Sequence, residues 1–236
     1  MEFHKPKSIH SWRELLTEIG VIVIGVAIAL AAEQAVEWFH WRNEVAQARV
    51  ALVEEITLNN REFFARRIAS EPCLSRQVQE ADAILADLEA GRGPGKFTVF
   101  RTGTGSLISD SEWQAQRASQ VLTHFPHAEL AQMGRYYILM QDFRLWMPQE
   151  GDAWGELAIL QHPPRGITTS DLIRLRASLG AAQRIDRLIV LNAQRQMRIS
   201  RQLGIADVKA DAARVKAFCT GSDQDYQRYI TSQELR

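Results

Sequence analysis

Residues Ile19 to Ala32 read IGVIVIGVAIALAA, fourteen successive positions without a polar side chain, and such a run calls for a non-aqueous surround. At the helical rise it is about 21 Å long, short of the roughly 30 Å of hydrocarbon in a bilayer. A span must therefore draw on its neighbours. Leu15 and Leu16 extend it upstream, and Ala35, Val36, Trp38 and Phe39 extend it downstream, with Glu18 and Glu33 held near the two headgroup levels. Trp38, Phe39 and Trp41 make the aromatic cluster expected at a membrane boundary. The sequence thus predicts a transmembrane helix over residues 15–36.

Lys5, Lys7 and Arg13 upstream outnumber Arg42 and Arg49 in the nearest downstream flank. The positive-inside rule then predicts a cytoplasmic tail over residues 1–14 and a periplasmic body, with the chain in a bacterial inner membrane. The rival is a cleaved secretory signal, because Ala29-Leu30-Ala31 ahead of Ala32 is an A-x-A-like site. Against cleavage, no Pro, Gly or Ser breaks the helix between Val26 and Trp41, and a continuous helix hides the extended segment a peptidase needs.

About 195 residues follow the apolar run and its aromatic flank at Trp38 to Trp41, enough for one domain with a real core. Lys plus Arg and Asp plus Glu both number 28, so the chain as a whole implies no nucleic-acid or other polyelectrolyte partner. The two cysteines, Cys73 and Cys219, are natural disulfide partners in an oxidising compartment, where closing so long a loop is worth about 5 kcal/mol in the chain-entropy model. The alternative is two unrelated buried thiols.

The hydrophobic period downstream is helical. Val45, Leu52, Ile56 and Phe63 recur at sevens and fours, so the transmembrane helix is expected to run on as a stalk over residues 37–71, ended by Pro72. A helical-bundle body over 72–219 and a loose tail over 220–236 complete the plan. Within the body, helices fit Leu74 to Ala90, a segment capped by Asp110 or Ser111 and running through Thr123, and Ala128 to Trp146. Pro148 to Gly151 interrupts the last of these. A long helix capped by Thr169 or Ser170 runs to about Leu203, and a short one covers Asp207 to Cys219. GRGPGK at 91–96 lacks the first glycine and the closing Ser or Thr of a phosphate-binding loop and reads as a helix-ending turn.

Four groups of residues could carry function. In the apolar segment, Gly25, Ala29, Ala32 and Glu33 share a face with Glu18, a small-residue stripe that would let a second helix approach closely. On the long helix, Arg176, Arg184, Arg187, Arg195, Arg198 and Arg201 fall within about a third of the circumference, a candidate contact for an anionic surface, though such a stripe is usually a solvated face. Trp113, Trp146 and Trp154 could line a pocket, although aromatics at helical spacing are more often core. His124 and His127 have the spacing of metal ligands, but Pro126 lies between them and no third histidine is near. No metal or cofactor is expected, and no nucleophile, base and oxyanion grouping is evident.

The run Glu18-Ile19, five residues, then Gly25-Val26-Ala27-Ile28-Ala29-Leu30 resembles the E-I-x5-G-[IV]-x-I-A-L pattern of a family of bacterial single-span membrane proteins that is classed as a domain of unknown function. A looser similarity extends to the Glu- and Asn-bearing helix near Glu54 to Asn60. The resemblance implies an uncleaved anchor and a mostly helical body, and carries no catalytic or binding residue.

The sequence therefore predicts an all-α chain, a transmembrane helix continuing into a helical stalk and a periplasmic helical bundle. The expected role is a non-enzymatic scaffold or accessory subunit, integral to the membrane, whose partner is a second copy or another membrane protein. A membrane-tethered ligand-sensing or solute-binding domain is the alternative.

Overall fold

In a computed structural model, residues 12–102 and 108–222 are described. The expected tail before Trp12 and residues 223–236 of the C-terminal tail lie outside them. Every regular element among the described residues is helical.

One continuous helical rod dominates. It comprises α1 (Trp12–Asn59), a π-helical turn (Asn60–Ala65) and α2 (Arg66–Glu89). No residue of the apolar window is buried, and the first buried residue of the rod is Val45. The same rod is thus free along its first half and bundle core along its second. The segment expected as a stalk departs from that reading beyond its first turns, since Val45, Ala48, Leu52, Ile56, Phe63 and Phe64 all lie in the main hydrophobic cluster. The sevens-and-fours period was the signature of a core-facing stripe.

Two expected breaks do not occur. Pro72 sits inside α2, and Pro148 inside α4 (His127–Leu157), which runs unbroken through the 148–151 interruption. Both prolines are on exposed faces, where the carbonyl left without its N–H can turn to water, while buried Ser70, Leu74, Glu150 and Ala153 tie down the neighbouring turns. The π turn adds a residue to the rod and brings Asn60, Phe63, Phe64 and Ala65 inward together.

α3 (Ser111–Ala118) is shorter than expected. It stops at a left-handed Gln120 (φ 62°), after which Val121–His124 forms a 3-10 turn. α5 (Thr169–Gln202) begins one residue earlier than expected, with Thr168 and Asp171 forming a reciprocal capping box. α6 (Ala212–Thr220) starts at Asp211, whose carboxylate accepts from the amides of Ala213 and Arg214, and ends at Gly221 (φ 87°). The positive φ there lets Ser222 N–H reach back to the Ala217 carbonyl.

Cross-helix bonds give the directions. Arg49 meets Glu129 and Arg67 meets Glu150, so α4 runs alongside the rod in the same sense. Arg67 meets Asp186 while Arg176 meets Asp82 and Glu89, so α5 returns antiparallel. A first cluster of buried side chains joins α1, the π turn, α4 and the second half of α5. A second, at the far end of the bundle, packs Trp154, Leu157 and Leu160 against Ala81, Ile84, Leu85, Leu175 and Leu179.

Candidate functional site

The free half of α1 presents Glu18, Gly25, Ala29, Ala32 and Glu33 together on one exposed face. Where this half meets the bundle, Trp41 stacks on His124 with ring centroids 3.8 Å apart. His124 is thus taken up by an aromatic contact at the end of a 3-10 turn, and His127 opens α4. Among the described residues no group of three or more His, Cys, Asp or Glu side chains is arranged to hold a metal ion.

Above that junction, Glu55 on α1 organises the next layer. Its nearly buried carboxylate accepts from the hydroxyls of Ser109 (2.8 Å), Ser111 (3.1 Å) and Tyr137 (2.9 Å) and from the amides of Glu112 (3.1 Å) and Trp113 (3.4 Å). The first turn of α3 is therefore capped from another helix and not by its own Asp110, which instead pairs with Arg144. One turn on, the Asn59 amide donates to the Ser109 carbonyl (2.7 Å) and accepts from the Ser109 N–H (2.9 Å). Burial and the nearby Glu55 charge push the Tyr136 and Tyr137 phenols above their ordinary range, which keeps both as donors.

Deeper still, fully buried Arg67 donates to both oxygens of Glu150 and, at 2.6 Å, to Asp186. One guanidinium faces two carboxyls. Burial pushes both acids above the usual carboxylate range, against the downward pull of Arg67. Glu150 and Asp186 are 2% and 8% exposed, so the cluster is enclosed and ties the rod, α4 and α5 together. Arg67, Asp186 and Glu55 were missed, although a signal existed. Arg67 lies at i+4 from Phe63 and seven before Leu74, Asp186 at i+4 from Ala182, and Glu55 at i+3 from Leu52, all on core-facing stripes.

Cys73 on α2 and Cys219 on α6 are joined in a disulfide, with Cα atoms 5.6 Å apart. Arg101 reinforces the junction by donating through Nε (3.1 Å) and Nη2 (2.7 Å) to the Phe218 carbonyl, while the Gln77 side chain bonds the Arg101 backbone at both N–H and C=O. The cavity between these groups holds about 10 Å³, room for a single water at most.

The three tryptophans do not line one pocket. Trp113 stacks on Tyr137 (4.7 Å) and Trp146 meets Phe143 edge-on (5.6 Å), both against the first cluster, while Trp154 is buried in the second against Phe100 (5.9 Å). They are core residues, each fixed by a different aromatic neighbour.

The arginine stripe divides. Arg176 is tied to Asp82 and Glu89, and Arg201 to Asp207 (3.3 Å). Arg184, Arg187, Arg195 and Arg198 are exposed and form no ion pair among the described residues. Because α5 is antiparallel to the rod, the stripe runs lengthwise along the bundle for about 26 Å from Arg184 to Arg201 and does not spread across its base.

No family model, no curated protein and no solved structure matches this chain.

Proposed function

We propose that this chain is a single-pass membrane protein whose rigidly mounted helical bundle acts as a non-enzymatic scaffold or accessory subunit. The observation that carries the reading is the shared rod. Its apolar half stands clear of the bundle, and its other half supplies the core. A flexible tether would let the bundle drift, whereas a continuous helix fixes its height and orientation relative to the bilayer.

The bundle lies outside the cytoplasm in this reading, with the N-terminus on the cytoplasmic side of the inner membrane. The flanking charges favour that direction, and the Cys73–Cys219 bond suits an oxidising compartment. The arginine stripe then faces sideways, along the membrane normal, so only its lower end would come near headgroups. Enclosed polar clusters and scattered tryptophans favour binding at surfaces over chemistry in a cleft.

Mild crosslinking of native membranes followed by purification tests this reading. The expected result is a covalent adduct larger than one chain; recovery of a lone monomer at native abundance overturns it.

A further inference from the structure

The exposed face of α1 does not stop at the membrane segment. Ile22, Ala29, Val36, Asn43 and Val50 recur every seven residues, and Gly25, Ala32, Phe39 and Ala46 fall between them at spacings of three and four. This is a heptad seam, apolar or small at every position but one, and its 3.5-residue period suits a left-handed pair of helices. Every one of these side chains is exposed, Ile22 by 62%, Val36 by 70%, Phe39 by 64% and Val50 by 58%. At 100° per residue the seam lies on the opposite side of α1 from Val45, Ala48 and Leu52, the positions buried in the bundle. Two copies can therefore meet along it back to back, with their bundles pointing outward.

We infer that the occupant of this face is a second copy of the chain, parallel and in register; the inference rests on reading α1 as a retained span. Insertion in one bilayer imposes the parallel direction. In register, Asn43 comes opposite itself, and each amide can both donate to and accept from the other, the arrangement by which a single seam Asn selects a parallel pair. The flanks are also self-complementary. Glu54 is exposed and forms no ion pair among the described residues, and it lies five residues after Arg49, the spacing that brings flanking positions of parallel helices together. Arg49 gives Nε and Nη2 to Glu129, which leaves Nη1 for Glu54 of the second copy. Gly25, Ala29 and Ala32 let the two backbones approach within the bilayer.

Single-cysteine scanning of the full chain in native membranes tests the inference. Asn43→Cys and Val50→Cys put thiols on the seam, and Glu37→Cys puts one on the same exposed helix away from it; none of the three is a core position. Under mild oxidation, the two seam variants are expected to shift from 26.8 kDa to twice that mass on non-reducing gels while Glu37→Cys stays monomeric. Equal dimer yield in all three, or none in any, overturns the pairing. If no self-adduct forms but crosslinking of the unsubstituted chain yields an adduct with a different protein, the pairing falls and the scaffold reading stands. A chain lacking the residues before Ala32 removes both.

Discussion

Arg67 is the side chain on which the bundle interior turns. A guanidinium with no exposure persists in a core because two carboxyls from two other helices hold it, and removing it would strand both acids. Arg67→Ala is expected to cost about 3–5 kcal/mol, read from denaturant unfolding of the detergent-solubilised chain. The acids also impose a pH dependence. Both have folded pKa values above their unfolded ones, so their contribution is fully present below the ordinary carboxylate range near pH 4 and is lost as pH rises through the raised values. Glu150→Gln fixes the neutral form and is expected to flatten that part of the profile relative to the unsubstituted protein; an unchanged slope would show that Glu150 does not contribute to it. The cluster was only faintly legible in the sequence. A charged residue in a helical pattern usually belongs to the solvated face, and only its place on an apolar stripe hinted otherwise.

The helices show how tertiary contacts override local signals. Pro72 and Pro148 are breakers by sequence, and an interior proline costs about 3 kcal/mol, yet both helices continue because packing on either side outweighs the lost bond. α3 shows the reverse dependence. It is eight residues long, too short to hold itself, and its first turn is capped by Glu55 from α1. Glu55→Ala leaves two amides and the Tyr137 hydroxyl without their acceptor and is expected to cost about 2–3 kcal/mol. Hydrogen exchange would locate the loss, with protection falling across Ser111–Ala118 and little change in α5. Uniform loss across the bundle would argue against a local cap. Asp110 was the natural candidate from sequence because a cap is sought next door; nothing local announces one supplied from more than fifty residues away.

At the level of the molecule, the disulfide fastens α6 to the rod. Its cysteines are 146 residues apart, and in the chain-entropy model the bond is worth about 5 kcal/mol. Reductant is expected to lower the thermal midpoint, and the double variant Cys73→Ser with Cys219→Ser should unfold at that lower midpoint with or without reductant. A midpoint indifferent to both would mean that Arg101, Phe218 and the Arg214–Glu62 pair hold α6 without help. The rod couples the bundle to whatever surrounds the apolar half, so pairing along the α1 seam would set two bundles at one height with their α1 faces inward.

The helical class and the long apolar helix could be read from the chain alone, because periodicity and uninterrupted hydrophobicity are local properties of sequence. The pairing of Cys73 with Cys219 was legible only because there were two cysteines to choose from. What tertiary structure alone decided was which half of the long helix is core, which prolines are tolerated, and which charges are buried together. Each of these depends on side chains far apart in the sequence, whose packing and burial determine whether a local preference is kept.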